Sequence, residues 1–196
     1  MMGNYATNIL YYISTGLLIP TIALLLVSFV RCLLLLGGFF GMFINRLKYQ
    51  KLQQPLIDEL HHDITKLSEL ESIKGNRTFN QSLHRLVEGK NSQAVQEKVL
   101  ADYEVASERD LSTSKSLSKV GPMLGLMGTL IPMGPALVGL ASGDIATMAQ
   151  NMQVAFATTV VGIFVGGIGY VTQLVKQRWF VEDLNNLEFI SKLLKS

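Results

Sequence analysis

Long segments without a charged residue alternate with charged segments along the 196-residue chain. Apart from Arg31, no Asp, Glu, Lys or Arg lies in residues 1–44, 120–143 or 145–175. A helix needs about 20 apolar residues to cross a hydrocarbon core of about 30 Å. The pattern therefore predicts an integral membrane protein with three transmembrane helices, at about residues 9–44, 120–141 and 154–175.

The first apolar run is longer than one crossing requires, because its 36 positions extend roughly 54 Å as a helix. It forms either a hairpin of two short helices that turns near Arg31 or Gly37-Gly38, or one helix that continues past the membrane surface. The single helix is favoured, since each half of a hairpin is short and Arg31 lacks a turn sequence beside it. Arg31 then lies near the cytoplasmic interface, where its long side chain reaches water.

Lysine and arginine residues predict the orientation, since they are retained on the cytoplasmic side. Twelve lie between Arg46 and Lys119 and four in the tail that starts at Lys176, whereas residues 142–150 have none. We expect a multi-pass protein of the cytoplasmic (inner) membrane, with its N-terminus outside and its C-terminus in the cytoplasm. The predicted segments are a first transmembrane helix (1–45), a cytoplasmic insert (46–118), the second and third transmembrane helices (119–178) and a cytoplasmic tail (179–196).

The insert is predicted to be helical, and with it the whole protein, because no stretch alternates in the manner of a strand. Pro55 suits a first helical turn, and Gly75-Asn76 is predicted to end the same helix. Between them, apolar residues recur at spacings of three and four: Ile57, Leu60, Ile64 and Leu67.

A second helix of the insert is predicted from about Ser92 toward Leu117, with Val95, Val99 and Tyr103 on one stripe. It should continue directly into the second transmembrane helix. Gly121-Pro122 is predicted to bend it at the membrane surface.

Charge, cysteine content and motifs exclude several functional classes. The net charge is only +2 and the basic residues are not interleaved with aromatic ones, so no nucleic acid is expected. Cys32 is the only cysteine, which leaves no disulfide framework. His61 and His62 are adjacent, point about 100° apart on a helix and cannot bind one metal ion. Because catalytic and nucleotide-binding motifs are also absent, we expect no enzyme, metal or cofactor.

Regularly spaced glycines and a few polar residues distinguish the second and third transmembrane helices. Glycines four residues apart let membrane helices approach closely and favour an oligomer packed on them. The glycines are Gly121, Gly125, Gly128, Gly162 and Gly166. The polar residues are Thr129, Thr158 and Thr159 and, closer to the outer loop, Asn151 and Gln153.

Polar groups at membrane depth are costly and commonly mark an ion pathway, which makes the three threonines candidate pore-lining residues. Packing alone is the alternative, because a threonine hydroxyl can donate to a carbonyl of its own helix. No Asp or Glu lies in any predicted transmembrane helix, and Asp144 in the outer loop is the nearest. A proton relay would therefore need an acid from a partner.

Two motifs resemble the MotA/TolQ/ExbB proton channel family. Residues 121–129 (GPMLGLMGT) are similar to the family's P-x-L-G-L-x-G-T element, and residues 151–162 (NMQVAFATTVVG) to its A-L-x-T-T-x-x-G element. The resemblance covers about residues 115–178. The three-helix topology with a large insert before the motif pair resembles the TolQ and ExbB branch rather than four-helix MotA.

The resemblance implies a stator in which five copies surround two copies of a single-span partner similar to ExbD, TolR or MotB. It further implies that a membrane aspartate of the partner carries protons (or Na⁺) past Thr129 and Thr159. Pro132 and Pro135 depart from the family pattern and predict a local bend. Val154 and Ala155 occupy the place where some members carry an acid.

Two other functions fit the same residues. A non-conducting oligomeric scaffold would anchor a cytoplasmic complex through residues 46–118, and it would tolerate Val at Thr129 and Thr159. A self-sufficient channel is disfavoured by the lack of an intramembrane acid.

Overall fold

The computed structural model describes residues 2–59 and 76–194, and all regular structure in these ranges is helical. This confirms the all-helical prediction. The helices are α1 (Met2–Gly16), α2 (Leu18–Glu59), α3 (Arg77–Glu88), α4 (Gln93–Ala141) and α5 (Ile145–Leu193).

Three long helices of the described chain are apolar enough to cross a membrane. They comprise Ile9–Ile57, Gln93–Ala141 and Ile145–Leu193, each 49 residues long. At about 1.5 Å per residue, each is far longer than the hydrocarbon core, so each also extends into water. The chain is thus a multi-pass membrane protein, and its three crossings agree with the three charge-free runs.

The N-terminal apolar run has one interruption, which lies between α1 and α2. Leu17 donates its N–H to the carbonyls of both Ile13 and Ser14, and α2 then begins with Pro20 in its first turn, a position where no N–H is needed. Beyond this point α2 continues without a break through Arg31 and Gly37-Gly38. The helix favoured over a hairpin is therefore confirmed.

One boundary predicted for the insert is wrong, because Pro55 lies inside α2 rather than at the start of a helix. Asn76 also begins a helix that the sequence analysis did not predict: its side chain accepts a hydrogen bond from the Thr78 N–H at 3.1 Å and caps α3. The predicted positions Leu60, Ile64, Leu67 and Gly75, like His61 and His62, lie outside the described residues.

Helix α4 continues from the insert into the second crossing, as predicted. Gly121-Pro122, Pro132 and Pro135 all lie in its interior, and the helix is not interrupted at any of them. Each proline removes one backbone donor.

The chain forms two compact units. The first comprises Met1–Leu36 and Ser114–Val171. Cys32, Leu117 and Val165 are buried together in it, one from each of the long helices. Helix α2 thus packs on the α4/α5 pair at the level of these three residues.

The second unit comprises Gly37–Thr113 and Thr172–Ser196. Its core contains residues from four helices, and α3 contributes the largest share, three of its own. Burial of side chains of this size stabilises by about 1.5–3 kcal/mol each. The core residues are Ile57, Phe79, Leu83, Leu86, Val99, Tyr103, Leu187 and Ile190.

Candidate functional site in the transmembrane helices

Helices α4 and α5 approach each other along a line of glycines, here called the glycine seam: Gly121, Gly125 and Gly128 of α4 with Gly162, Gly166 and Gly169 of α5. A Cβ on Gly162 would lie 2.7 Å from the Cα of Gly125 and 2.8 Å from the Gly121 carbonyl oxygen. A Cβ on Gly121 would lie 2.9 Å from the Gly162 oxygen. Because these neighbours are backbone atoms, no other residue fits at this crossing without moving a helix.

Thr158 lies in this seam and faces Gly128. A Cβ on Gly128 would be 2.6 Å from both Cβ and Oγ1 of Thr158. The threonine is only 6% exposed, and its hydroxyl contacts the carbonyls of Val154 and Ala155 at 3.1 and 2.9 Å. Of the three predicted threonines, it is the one held most firmly in helix packing.

Thr129 and Thr159 are half-buried, each one residue after a seam position of its own helix. The Thr129 hydroxyl donates to the Leu126 carbonyl at 2.7 Å, and the Thr159 hydroxyl donates to the Ala155 carbonyl at 3.1 Å. These bonds use the hydroxyl hydrogen and leave lone pairs of the oxygen available. Both groups can therefore accept a hydrogen bond from another chain, and they can donate one after rotation about χ1.

The two predicted amides lie near the outer end of α5. Asn151 donates its side-chain N–H to the Thr147 carbonyl at 2.8 Å, and Gln153 is exposed. Neither amide contacts a threonine hydroxyl in the described hydrogen bonds.

Asp144 has a local role that the sequence analysis missed. Its carboxylate accepts hydrogen bonds from the Thr147 N–H at 3.0 Å and from the Thr147 hydroxyl, at the start of α5. These bonds hold the pKa of Asp144 below its usual range. An Asp directly before the first residue of a long helix is an N-cap signal, and it was available in the sequence.

A second polar group missed from sequence is the Asp183 cluster, formed by Arg46, Asn76, Tyr103 and Asp183 in the second unit. Asp183 is 2% exposed, and its carboxylate accepts from the Arg46 guanidinium and from the Tyr103 hydroxyl. The Asn76 side chain is a further donor to it. One carboxylate thereby connects α2, α4 and α5 with the cap of α3.

Burial governs the ionisation of this cluster, which lies outside the charge-free crossings. It raises the pKa of Asp183, although the charge of Arg46 opposes this. Burial likewise raises the pKa of Tyr103, with the neighbouring Asp183 charge acting in the same direction. For Arg46, burial would lower the pKa, but Asp183 and Glu182 outweigh it and raise it. The guanidinium is therefore charged at any physiological pH.

Comparison with known proteins identifies a family and a relative. The model of the MotA/TolQ/ExbB proton channel family matches residues 71–186, more than half of the chain. A protein of Methanothermobacter thermautotrophicus named as a biopolymer transport protein ExbB homolog is 32% identical over 91 residues, which are 43% of this chain and 31% of that protein. The match thus spans less than a third of that relative's length. No solved structure matches this chain.

Proposed function

Because this chain belongs to the MotA/TolQ/ExbB proton channel family, we propose that it is the ring-forming subunit of a motor driven by the proton-motive force. Five copies surround a single-span partner similar to ExbD, TolR or MotB. The partner carries the aspartate that takes up and releases the transported ion, a proton or Na⁺.

The observation that carries the proposal is the pair of half-exposed hydroxyls at Thr129 and Thr159, beside a rigid glycine seam. The charge-free runs contain no acid of their own. The two threonine hydroxyls are suited to bind a carboxyl group from another chain, because a hydroxyl is uncharged and can both donate and accept a hydrogen bond.

The chemistry follows from the hydrogen bonds of the two hydroxyls. While they donate to Leu126 and Ala155, their oxygens can accept from a protonated carboxylic acid. When the acid ionises, a hydroxyl that rotates away from its own carbonyl donates to the carboxylate and stabilises the charge at membrane depth. Thr158 is committed to the seam, so we assign the direct contact to Thr129 and Thr159 and a supporting position to Thr158.

The exposed apolar surface of α4 and α5 supports an assembly. Met123, Leu126 and Leu130 of α4 and Phe156, Val160 and Ile163 of α5 are large and exposed. Lipid, further copies and the partner's helix are the surfaces that can cover them. We place the ring in the cytoplasmic membrane with residues 46–118 inside, on the grounds of the basic residues in that segment.

The test is proton uptake by vesicles that contain the chain and its partner, for Thr129→Val, Thr159→Val and the double variant. Val keeps most of the volume of Thr and removes the hydroxyl. We expect transport to fall at least tenfold, a loss of about 1.4 kcal/mol in the barrier, while native mass spectrometry still shows the ring. Leu24→Val, an exposed position on α2, is the control and should transport normally.

A non-conducting scaffold is the second candidate. It is favoured by the fact that all three threonine hydroxyls bond to their own helix, as a packing role requires. Normal transport in the Thr129→Val Thr159→Val double variant, with the ring intact, would support it over the motor subunit.

A further inference from the structure

A cavity of about 340 Å³, here called the Trp179 cavity, lies in the second unit between α2, α5 and the start of α3. Its volume is within the range of about 300–1,000 Å³ that is usual for small-molecule sites. Part of its wall is apolar and consists of Met42, Trp179 and Phe180. The Trp179 ring is stacked on the ring of Phe39, with the two centroids 5.7 Å apart. The cavity therefore has a firm apolar surface.

The polar part of the wall has three hydrogen-bond donors without a partner among the described residues: Asn45, Tyr49 and Arg77. Asn45 and Tyr49 are four residues apart on α2, so their side chains lie on the same side of the helix. Arg77 is exposed at the start of α3. No acid belongs to the described lining of the cavity. These donors leave room for a ligand that supplies several acceptors.

Two other polar residues of the wall are already bound within the protein. Arg46 donates to Asp183 and to Glu182, and Asn76 donates to Asp183. The charge of Arg46 is thus offset by its own carboxylates. The cation that remains for a ligand is Arg77, whose planar guanidinium is suited to two oxygens of one phosphate. The lining therefore fits a phosphate group that is joined to an apolar part.

Exposed apolar residues continue along α2 to the level of the Trp179 cavity. Phe43, Ile44 and Leu47 are large and exposed, and they alternate along the helix with the lining residues Met42 and Asn45. An apolar surface of this kind is covered by lipid or by another chain. A small anion dissolved in water would use the three donors but would leave this surface uncovered.

Helix α5 gives a second indication of lipid beside the cavity. Between Asp144 and Lys176 it has no charged residue, and these 31 positions extend about 46 Å. A bilayer with its headgroup layers is about 40–45 Å thick. Trp179 lies three residues beyond Lys176, and tryptophan is typical of the boundary between membrane and water. Headgroups of the leaflet on the side of residues 46–118 are thus the nearest source of phosphate.

We propose that the Trp179 cavity binds a phospholipid of this leaflet and prefers an anionic headgroup. The lipid phosphate accepts hydrogen bonds from the three unpartnered donors, and the glycerol with the first methylene groups contacts the apolar part of the wall. One cation close to the membrane surface favours an anionic over a zwitterionic lipid by about fivefold. The site lies within one copy of the chain and involves neither the threonine hydroxyls nor a partner chain, so it does not depend on the proposed function.

Trp179 is the only tryptophan of the sequence, so its fluorescence reports on the cavity. The purified full chain is reconstituted into equimolar vesicles of phosphatidylglycerol and phosphatidylcholine, with brominated acyl chains on either lipid, because bromine quenches a tryptophan that it contacts. Quenching by phosphatidylglycerol should be the stronger and correspond to about fivefold higher affinity. Arg77→Gln should abolish this preference, and Arg77→Glu should reverse it.

Arg178→Gln is the matched control. Arg178 directly precedes Trp179 and is exposed, but it does not line the Trp179 cavity. This variant loses the same charge from the same region and should keep the preference. Thermal midpoints of all variants close to that of wild type would show that the fold is retained, as expected for exposed arginines.

Three results would overturn the proposal. Equal quenching by the two lipids in wild type would show that the cavity has no selective lipid site. Loss of the preference in Arg178→Gln as well as in Arg77→Gln would assign it to the general charge of the surface. Recovery of Trp179 fluorescence on addition of glycerol phosphate to the buffer would show that the cavity takes a soluble phosphate instead of a lipid.

Discussion

Gly128 and Thr158 contact each other so closely that a Cβ on Gly128 would lie 2.6 Å from the threonine Oγ1. One of the candidate pathway residues is thus part of the helix contact itself. The consequence is that α4 and α5 behave as one rigid pair, on which Thr129 and Thr159 are held beside the seam. In the motor proposed above, a pair held in this way would preserve the positions of its hydroxyls.

The seam should be intolerant of a single methyl group at its narrowest point. A Cβ on Gly162 meets the backbone of Gly125 and Gly121 at 2.7 and 2.8 Å, so Gly162→Ala forces the helices apart. We expect a loss of about 1–3 kcal/mol and a lower thermal midpoint of the detergent-solubilised protein. Gly167→Ala is the matched control, because nothing lies within 4 Å of its Cβ position. Equal midpoints for the two variants would show that the close approach is not required.

The Asp183 cluster should be essential for the stability of the second unit. Asp183→Ala removes the acceptor for Arg46 and Tyr103 and leaves a guanidinium, 11% exposed, with Glu182 as its remaining ion-pair partner. Breaking a buried pair on one side costs roughly 3 kcal/mol. Tyr103→Phe removes one hydrogen bond and should cost about 1 kcal/mol. Thermal unfolding measures both, and a smaller loss for Asp183→Ala than for Tyr103→Phe would contradict the central position of Asp183.

The raised pKa of Asp183 predicts the sign of a pH effect. A carboxyl that binds its proton more readily in the folded than in the unfolded chain stabilises the fold as the pH falls from its folded pKa toward about 4. Asp102 has the opposite effect on stability: hydrogen bonds from Lys98 and Arg85 lower its pKa, so its contribution is lost as the pH falls.

Comparison of wild type with Asp183→Asn isolates the contribution of Asp183 to the pH dependence of stability. The unfolding free energy of wild type, relative to that of the variant, should increase as the pH falls from 8 to 4. A difference that does not change with pH would mean that Asp183 has the same affinity for a proton in both states.

The orientation is tested with single cysteines in a Cys32→Ala background, which removes the only cysteine of the sequence. Ser142→Cys, exposed at the end of α4, should react in intact cells with an impermeant thiol reagent. Ser92→Cys, in the segment with twelve basic residues, should react only after the membrane is opened. The reverse pattern would place the insert outside.

The number of crossings was determined by the sequence, because a hydrocarbon core excludes charge and the charge-free runs can be counted without knowing any contact. The same holds for the continuity of α2 through Arg31, since no turn sequence accompanies that residue. Glycine spacing likewise predicted which helices approach closely. These features depend on composition and on distances along a single helix.

Tertiary structure decided the features that depend on what lies across from a residue. Thr158 and Thr159 are adjacent and chemically identical, yet only Thr158 faces Gly128, because helix α4 lies on that side. The donors to Asp183 include Arg46, 137 positions away, and Tyr103, 80 positions away. Asn76 caps α3 because its side chain accepts a hydrogen bond from the Thr78 N–H. The residue pair Gly75-Asn76 in the sequence is typical of a helix end and does not by itself indicate this cap.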